Sequence, residues 1–215
     1  MAVETSASRE LALAAGPMVL RTTLTSPFGR KARMAAAVLG LSSMIEVVPA
    51  DTLDEDDDLR QQNPLGKMPC LRIADGTFLY DSRVIVEYLD ALAGGGRIIP
   101  RAGLARFTAL TRATLADGTA DAALLMVYEA RFREPHQISE VWLAHQRGKV
   151  ERGLQAMAAD LPDPQVTDVV SISLACALGY LDWRQPVRWR ERFPAMAEWL
   201  ERFAAAEPAC NQTAA

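Results

Sequence analysis

Hydrophobic and polar residues alternate in short runs along the first half of the chain, and this pattern changes to long helical periods near residue 93. Residues 18–24 and 44–49 are rich in apolar and β-branched side chains, which predicts two strands. Between them, apolar residues at helical spacing follow Pro27 and stop at Gly40, which predicts a helix. Because this crossover contains a helix, the two strands are expected to pair in parallel.

A hairpin and a further helix are predicted to complete the first half. Two short strands, 69–73 and 77–79, lie on either side of Asp75-Gly76, which is a typical hairpin turn. Asp81 then caps a helix. The inward face of that helix is predicted to hold four residues, Val84, Ile85, Tyr88 and Leu89.

Only helices are predicted after the glycines at 94–96. Apolar residues at helical spacing run from Ile138 to Leu161, where Pro162 ends the helix, and Asp168 caps the nearly all-apolar segment 169–181. A helix that is apolar all round must be buried on all sides, so this segment is the predicted axis of a second domain. A last helix is predicted over 189–205. The expected organisation is an extension at 1–17, an α/β domain at 18–94 and an all-α domain at 95–215.

Composition and charge exclude several classes of protein. The net charge of −4 argues against general binding to nucleic acid. No apolar run approaches a membrane span, and the first 17 residues lack the pattern of a secretory signal, so a cytoplasmic protein is expected. The acidic run at 51–58 lacks the glycine turn of a calcium loop and is interpreted as solvated. Three scattered cysteines argue against disulfides and structural zinc.

Three motifs of the first half occur in a fixed order, and two segments of the second half follow them. The motifs are Ser26-Pro27-Phe28 with Arg33, then Asn63-Pro64-Leu65-Gly66-Lys67-Met68-Pro69, then Asp81-Ser82 with Tyr88-Leu89; the segments are 115–118 and 175–181. With these residues the chain resembles the glutathione S-transferase family, in its bacterial YibF-like branch, from Met18 almost to the C-terminus. It departs from the family pattern in two places. Asp81 replaces the usual glutamate, and the cap of the core helix has Asp168 and Ser171 in exchanged positions.

The resemblance implies a thioredoxin-like domain, β-α-β followed by β-β-α, that binds glutathione as a co-substrate. The Met68-Pro69 bond is then expected to be cis rather than that of an ordinary edge-strand proline. This geometry turns the Met68 backbone outward to pair with the cysteinyl backbone of glutathione. Asp81 caps its helix and is also expected to receive the ammonium group of glutathione. The whole implied set of glutathione-binding residues is Ser26, Phe28, Lys67, Met68, Pro69, Asp81 and Ser82.

Ser26 is the catalytic residue that the resemblance implies, although local sequence alone indicates only a helix cap. A hydroxyl at a helix N-terminus favours the thiolate of glutathione over the thiol. Thr25 remains open as a substitute donor. Serine forms no stable mixed disulfide, so conjugation is expected rather than thiol transfer. Cys70 lies close to the site, but its side chain is expected to point into the sheet.

The leading functional hypothesis is a homodimeric, metal-free enzyme of detoxification that transfers glutathione to a small hydrophobic electrophile. Met126 and Tyr128 are candidate residues of the electrophile pocket, and core packing explains them equally well. Neither nucleic acid nor a membrane is an expected partner. Two alternatives stay open: a non-catalytic binding protein like the stringent starvation proteins, and a specialised glutathione-dependent isomerase or dehalogenase.

Overall fold

The computed structural model describes residues 16–214 and divides them between two compact units. Of the described residues, the first unit contains 16–101 and 213–214, and the second comprises Ala102–Gln212. The extension predicted over 1–17 lies outside the described residues except for its last two. The domain boundary at 94 stays a prediction.

The first unit contains a four-stranded mixed sheet. Its strands are β1 (Met18–Arg21), β2 (Ile45–Val48), β3 (Cys70–Arg72) and β4 (Phe78–Leu79), in the order β2-β1-β3-β4. β1 pairs with β2 in parallel and with β3 antiparallel, and β3 pairs antiparallel with β4. The predicted parallel pair and the predicted hairpin are therefore confirmed, with each strand shorter than expected.

Three α-helices and one 3-10 turn accompany this sheet in the described part of the chain: α1 (Pro27–Val38), the 3-10 turn Ser42–Met44, the single turn α2 (Leu59–Gln62) and α3 (Ser82–Leu92). Gly40 follows α1 at a φ of 76°, a left-handed conformation that suits glycine. On α3 the prediction for Val84 is wrong, since its side chain is 47% exposed. The buried face instead follows the spacing i, i+3, i+4, i+7, i+8 and consists of Ser82, Ile85, Val86, Leu89 and Asp90.

The acidic run is only partly solvated, because Arg21 at the end of β1 binds two of its carboxylates. One guanidinium nitrogen lies 2.8 Å from Asp57 Oδ1, and another contacts Asp58 Oδ1. Asp57 also accepts the backbone N–H groups of Asp51 and Leu59. The hydrogen bond from Asp51, followed by those from Leu59 and Arg21, holds the pKa of Asp57 below its ordinary value. The run is therefore a loop that is anchored to the sheet.

The second unit consists of helices. They are α4 (Gly103–Arg131), α5 (Glu140–Ala158), α6 (Val169–Arg184), α7 (Trp189–Arg192), α8 (Pro194–Ala206) and α9 (Pro208–Gln212). α4 packs against both α5 and α6. α6 is buried along most of its length, as its apolar sequence predicts. No helix in the described part of the chain is both long and apolar enough to cross a membrane.

Two local features of this unit decide where helices begin. Asp168 Oδ1 accepts the N–H of Ser171, and Ser171 Oγ accepts the N–H of Asp168 at 2.9 Å, so the exchanged residues still form a capping box. The single helix predicted over 189–205 is wrong. Pro194 starts a new helix after Phe193, which separates α7 from α8.

Candidate functional site

Ser26 lies where the loop after β1 enters α1, and its hydroxyl caps that helix. Ser26 Oγ accepts the N–H of Gly29 at 3.1 Å, and Pro27 occupies the first helical position. Among the described residues, no acceptor takes the hydroxyl proton of Ser26. Arg33 steadies the same loop by donating to the carbonyl of Leu24 at 2.9 Å. The side chain therefore presents a donor at a helix N-terminus.

Gly29 allows the first turn of α1 to lie directly on Thr22. A Cβ at position 29 would lie 1.9 Å from Thr22 Oγ1, and Thr22 is buried. Sequence reasoning missed this contact. The signal that was available is a glycine inside a helix, which costs stability unless a close approach requires it.

The loop before β3 carries the predicted cis bond, Met68-Pro69. Pro69 is buried and the side chain of Lys67 is exposed. Neither the amide nor the carbonyl of Met68 is hydrogen bonded to another residue that the structure describes. Both groups are therefore free to pair with an extended peptide.

Asn63 holds this loop in shape, and sequence reasoning gave it no separate role. Its side chain is buried; Nδ2 donates to the carbonyl of Lys67 at 2.8 Å, and Oδ1 accepts the N–H of Leu65 at 3.1 Å. Gly66 completes the turn at a φ of 59°. The segment from Asn63 to Pro69 is therefore a rigid turn that presents the Met68 backbone.

Thr23 connects the loop before α1 to the cis-proline loop. Its N–H lies 3.3 Å from Met68 Sδ, and its hydroxyl oxygen lies 3.5 Å from the same sulfur. The hydroxyls of Thr23 and Thr25 are 3.3 Å apart, and the N–H of Ser26 donates to the carbonyl of Thr23 at 3.3 Å. Thr23 is therefore hydrogen bonded to both Met68 and Ser26.

Asp81 and Ser82 form the start of α3, as predicted. Asp81 is exposed, and its Oδ1 caps the helix by accepting the N–H of Arg83 at 2.9 Å. Ser82 is the first helical residue and is only 2% exposed. The exposed carboxylate of Asp81 is therefore the more accessible of the two side chains.

The remaining predicted residues lie in two places. Phe28 is half-buried in α1. In the second unit Met126 is buried in α4, and Tyr128 stacks edge-on against Phe132 with centroids 5.3 Å apart. Their assignment to an electrophile pocket stays a prediction.

Cys70 is buried in β3, and burial raises the pKa of its thiol to about 11, so this thiol is a poor nucleophile.

The described residues contain no group of three or more histidine, cysteine, aspartate or glutamate side chains that could hold a metal ion. The first unit instead contains hydroxyls, an exposed carboxylate, two helix N-termini and the backbone of Met68, which makes no hydrogen bond to another described residue. Groups of these kinds can bind an extended, charged peptide.

A small mixed sheet with a cis-proline loop, followed by a helical unit, defines a thioredoxin-like domain joined to a helical C-terminal part. Residues 25–92 match the family described as glutathione S-transferase, N-terminal domain. The chain is 35% identical over 172 residues to an uncharacterized GST-like protein, YibF, from Escherichia coli K12, covering 78% of this chain and 84% of the relative. The chain belongs to the glutathione S-transferase family.

Solved structures agree with this assignment. A glutathione transferase family member from Pseudomonas fluorescens Pf-5 with bound glutathione is 39% identical, with a TM-score of 0.85 over 91% of this chain and 98% of that one. A second structure from the same organism contains S-(propanoic acid)-glutathione. It is 38% identical, with a TM-score of 0.81 over 92% of this chain and 98% of that one.

Proposed function

We propose that this protein binds reduced glutathione in its first unit and activates the thiol for transfer to a small hydrophobic electrophile. The observation that carries the proposal is the Ser26 hydroxyl, which keeps its proton at the N-terminus of α1 beside the cis-proline loop. Glutathione is the co-substrate and no metal takes part.

The proposed binding mode uses the groups that the structure leaves available. The amide and carbonyl of Met68 pair with the cysteinyl backbone of glutathione, and Pro69 and Phe28 border that strand. Asp81 receives the ammonium group. The hydroxyl and the N–H of Ser82, at the N-terminus of α3, bind the γ-glutamyl carboxylate, because free N–H groups and the helix dipole favour an anion there. Lys67 is exposed and serves the glycyl carboxylate.

The proposed chemistry is nucleophilic substitution or addition by a thiolate. Ser26 donates its proton in a hydrogen bond to the sulfur, which lowers the pKa of the thiol together with the dipole of α1. The thiol proton leaves to solvent, the sulfur attacks the electrophilic carbon, and a halide departs with the bonding electron pair. The Pseudomonas relative that holds a glutathione thioether supports conjugation as the outcome.

Ser26 is a better donor than Thr25 for geometric reasons. A thioether sulfur can only accept a hydrogen bond, so the Thr23 hydroxyl donates to Met68 Sδ. Thr23 then acts as the acceptor in its contact with Thr25, and the Thr25 proton is used there. The hydroxyl of Ser26 accepts from a backbone N–H and still has its own proton to give.

Calorimetric titration with reduced glutathione tests binding, with Ser82→Ala and Asp81→Asn as site variants. We expect both variants to weaken binding, since each removes a contact to a charged end of the tripeptide. No binding by the folded wild-type protein at millimolar glutathione would refute the proposal.

Turnover with an aromatic halide such as 1-chloro-2,4-dinitrobenzene tests catalysis separately. Ser26→Ala should retain binding and lose rate, whereas Thr25→Val should match the wild type. Binding without turnover across a panel of electrophiles would favour the non-catalytic alternative. Turnover confined to one substrate would favour a dedicated isomerase or dehalogenase.

We further propose that the protein acts in the cytoplasm as a homodimer. Leu104 and Phe107 on the first turns of α4 are 79% and 66% exposed, and burial of such side chains against a second copy is favourable. Met126 and Tyr128 remain the candidates for contact with the electrophile.

A further inference from the structure

We propose that Thr23 and Met68 are positioning residues that hold Ser26 and the backbone of Met68 at a fixed spacing. This inference rests on the proposed function, in which Ser26 contacts the sulfur of glutathione and Met68 pairs with its cysteinyl backbone. The Ser26 hydroxyl and the Met68 backbone therefore contact atoms of the same residue, the cysteine of glutathione. Their spacing therefore controls how well the sulfur meets the hydroxyl.

Two donors of Thr23 converge on the sulfur of Met68. The backbone N–H lies 3.3 Å from Sδ and the hydroxyl 3.5 Å from it, although Thr23 and Met68 are 45 positions apart in the chain. A thioether accepts only weak hydrogen bonds, but a pair of donors from one residue fixes its position more firmly than one does.

Each side of this contact is itself held in place. The side chain of Met68 packs against the buried cluster of Ala50, Leu59 and Cys70, so the sulfur is clamped between the sheet core and Thr23. On the other side, the carbonyl of Thr23 accepts the N–H of Ser26 at 3.3 Å. A short path of contacts therefore runs from the cis-proline loop through Thr23 to Ser26.

The hydrogen bond from the Thr23 hydroxyl to the sulfur also determines which hydroxyl is the donor between Thr23 and Thr25. While Thr23 donates to the sulfur, Thr25 is left to donate to Thr23 across 3.3 Å. When the sulfur is removed, the Thr23 hydroxyl is free to turn toward Thr25, and the loop before α1 loses its support from the cis-proline loop. Two defects follow together: a looser spacing and a less defined set of donors around the thiol.

The test compares variants that remove single partners with a matched control. Met68→Leu removes the sulfur and keeps an apolar side chain of similar size, and Thr23→Val removes the hydroxyl and keeps the shape. Thr23→Ser retains the hydroxyl and serves as the rescue. Met34→Leu removes a sulfur that is buried in α1 and that accepts no hydrogen bond from Thr23 among the described residues.

The measurement is the pKa of the thiol of bound glutathione, from the thiolate absorbance of the complex as a function of pH, together with the thermal midpoint of each variant. We expect Met68→Leu and Thr23→Val each to raise that pKa, so that the thiolate fraction at neutral pH falls about threefold to tenfold. Thr23→Ser and Met34→Leu should keep the wild-type thiol pKa. The double variant should lose no more than the larger single effect, because both changes break one path.

Ordinary packing would give a different result. If Met68→Leu and Thr23→Val lower the thermal midpoint as Met34→Leu does and leave the pKa of the bound thiol unchanged, the positioning role is refuted while glutathione binding stands. If the folded wild-type protein binds no glutathione, the proposed function fails first, and this inference falls with it.

Discussion

Gly29 is the one glycine of α1, and a methyl group there would meet another residue at an impossible distance. A Cβ there would lie 1.9 Å from Thr22 Oγ1 and 2.9 Å from Thr22 Cβ. Helix propensity favours alanine over glycine by up to about 1 kcal/mol, whereas overpacking a buried contact costs about 1–3 kcal/mol. The steric cost is the larger of the two because Thr22 is buried and β-branched, so it cannot turn away.

We therefore expect Gly29→Ala to lower the free energy of unfolding, measured by urea denaturation, and to weaken glutathione binding, since the turn that carries Ser26 must shift. Gly118→Ala is the matched control. Gly118 lies within α4, and its Cβ would meet nothing within 4 Å. That variant should be neutral or more stable by up to about 1 kcal/mol. Equal effects at both glycines would contradict the close contact with Thr22.

The loop at 51–58 should make stability depend on acid through Asp57. Its pKa is lowered in the folded state, mainly by the N–H of Asp51 and further by Leu59 and Arg21. A carboxyl with a lowered folded-state pKa stabilises the protein fully above the unfolded pKa, near 3.9, and this contribution is lost as pH falls through the lower folded-state value. Asp57→Asn removes the titration.

Urea denaturation from neutral to acid pH should therefore show a gap between wild type and Asp57→Asn. We expect the wild type to be more stable by a constant amount above about pH 5 and the gap to close below about pH 4. Asp54→Asn is a control in the same loop, where the carboxylate accepts one N–H and binds no arginine among the described residues. A gap at Asp57 that does not change with pH would contradict the anchoring role.

The end of α3 depends on Asp90, a buried carboxylate that accepts three backbone N–H groups. Gly96 donates to Oδ2 at 2.8 Å, and Arg97 and Ile98 donate to Oδ1 at 3.0 and 2.9 Å. An unsatisfied buried donor costs about 1–3 kcal/mol. Of the three donors, only the N–H of Ile98 makes a fully buried hydrogen bond, so Asp90→Ala should lower the free energy of unfolding by about 1–3 kcal/mol.

The free energy of unfolding of Asp90→Asn should lie between those of the wild type and Asp90→Ala. Its amide oxygen can still accept from Arg97 and Ile98, while its NH₂ faces the N–H of Gly96. Chemical denaturation at neutral pH measures both variants. A wild-type value for Asp90→Ala would show that the loop after α3 finds other acceptors.

Elements that depend on neighbouring residues were predictable, and contacts between distant residues were not. The crossover through α1, the hairpin at Gly76 and the cap at Asp168 follow from local spacing, turn chemistry and capping. The position of Ser26 as a helix cap also follows from local sequence, whereas the cis bond at Pro69 and the catalytic role assigned to Ser26 came only from the ordered motifs. Roles could be assigned to these residues because a glutathione site requires a hydrogen-bond donor to the sulfur, an anion site and a strand edge.

The sequence pattern does not show which side chains contact each other when they are far apart in the chain. The contact between Thr23 and Met68 joins loops that are 45 positions apart, and the contact between Arg21 and Asp57 spans 36. A run of aspartates has the same composition whether it is solvated or bound to a buried arginine. Val84 has the hydrophobicity of a core residue, but its angular position on α3 decides its exposure.

The molecule as a whole is expected to form a dimer, and the first turns of α4 offer the test. Leu104 and Phe107 are 79% and 66% exposed and lie three positions apart on one side of the helix. A chain of 23.5 kDa should therefore elute and scatter light as a particle of twice that mass. The variant Leu104→Glu/Phe107→Glu should shift it to the monomer, because carboxylates of like charge would then be buried at a dry interface.

Val141→Lys is the matched control, because Val141 is 83% exposed on α5 and should leave the dimer intact. Glutathione titration of the monomeric variant separates assembly from binding, since Ser26, Met68, Asp81 and Ser82 all belong to the first unit of a single chain. We expect its affinity for glutathione to stay close to that of the wild type. Loss of affinity on dissociation would mean that a partner subunit completes the site, and a monomeric wild-type protein would mean that these apolar side chains have another use.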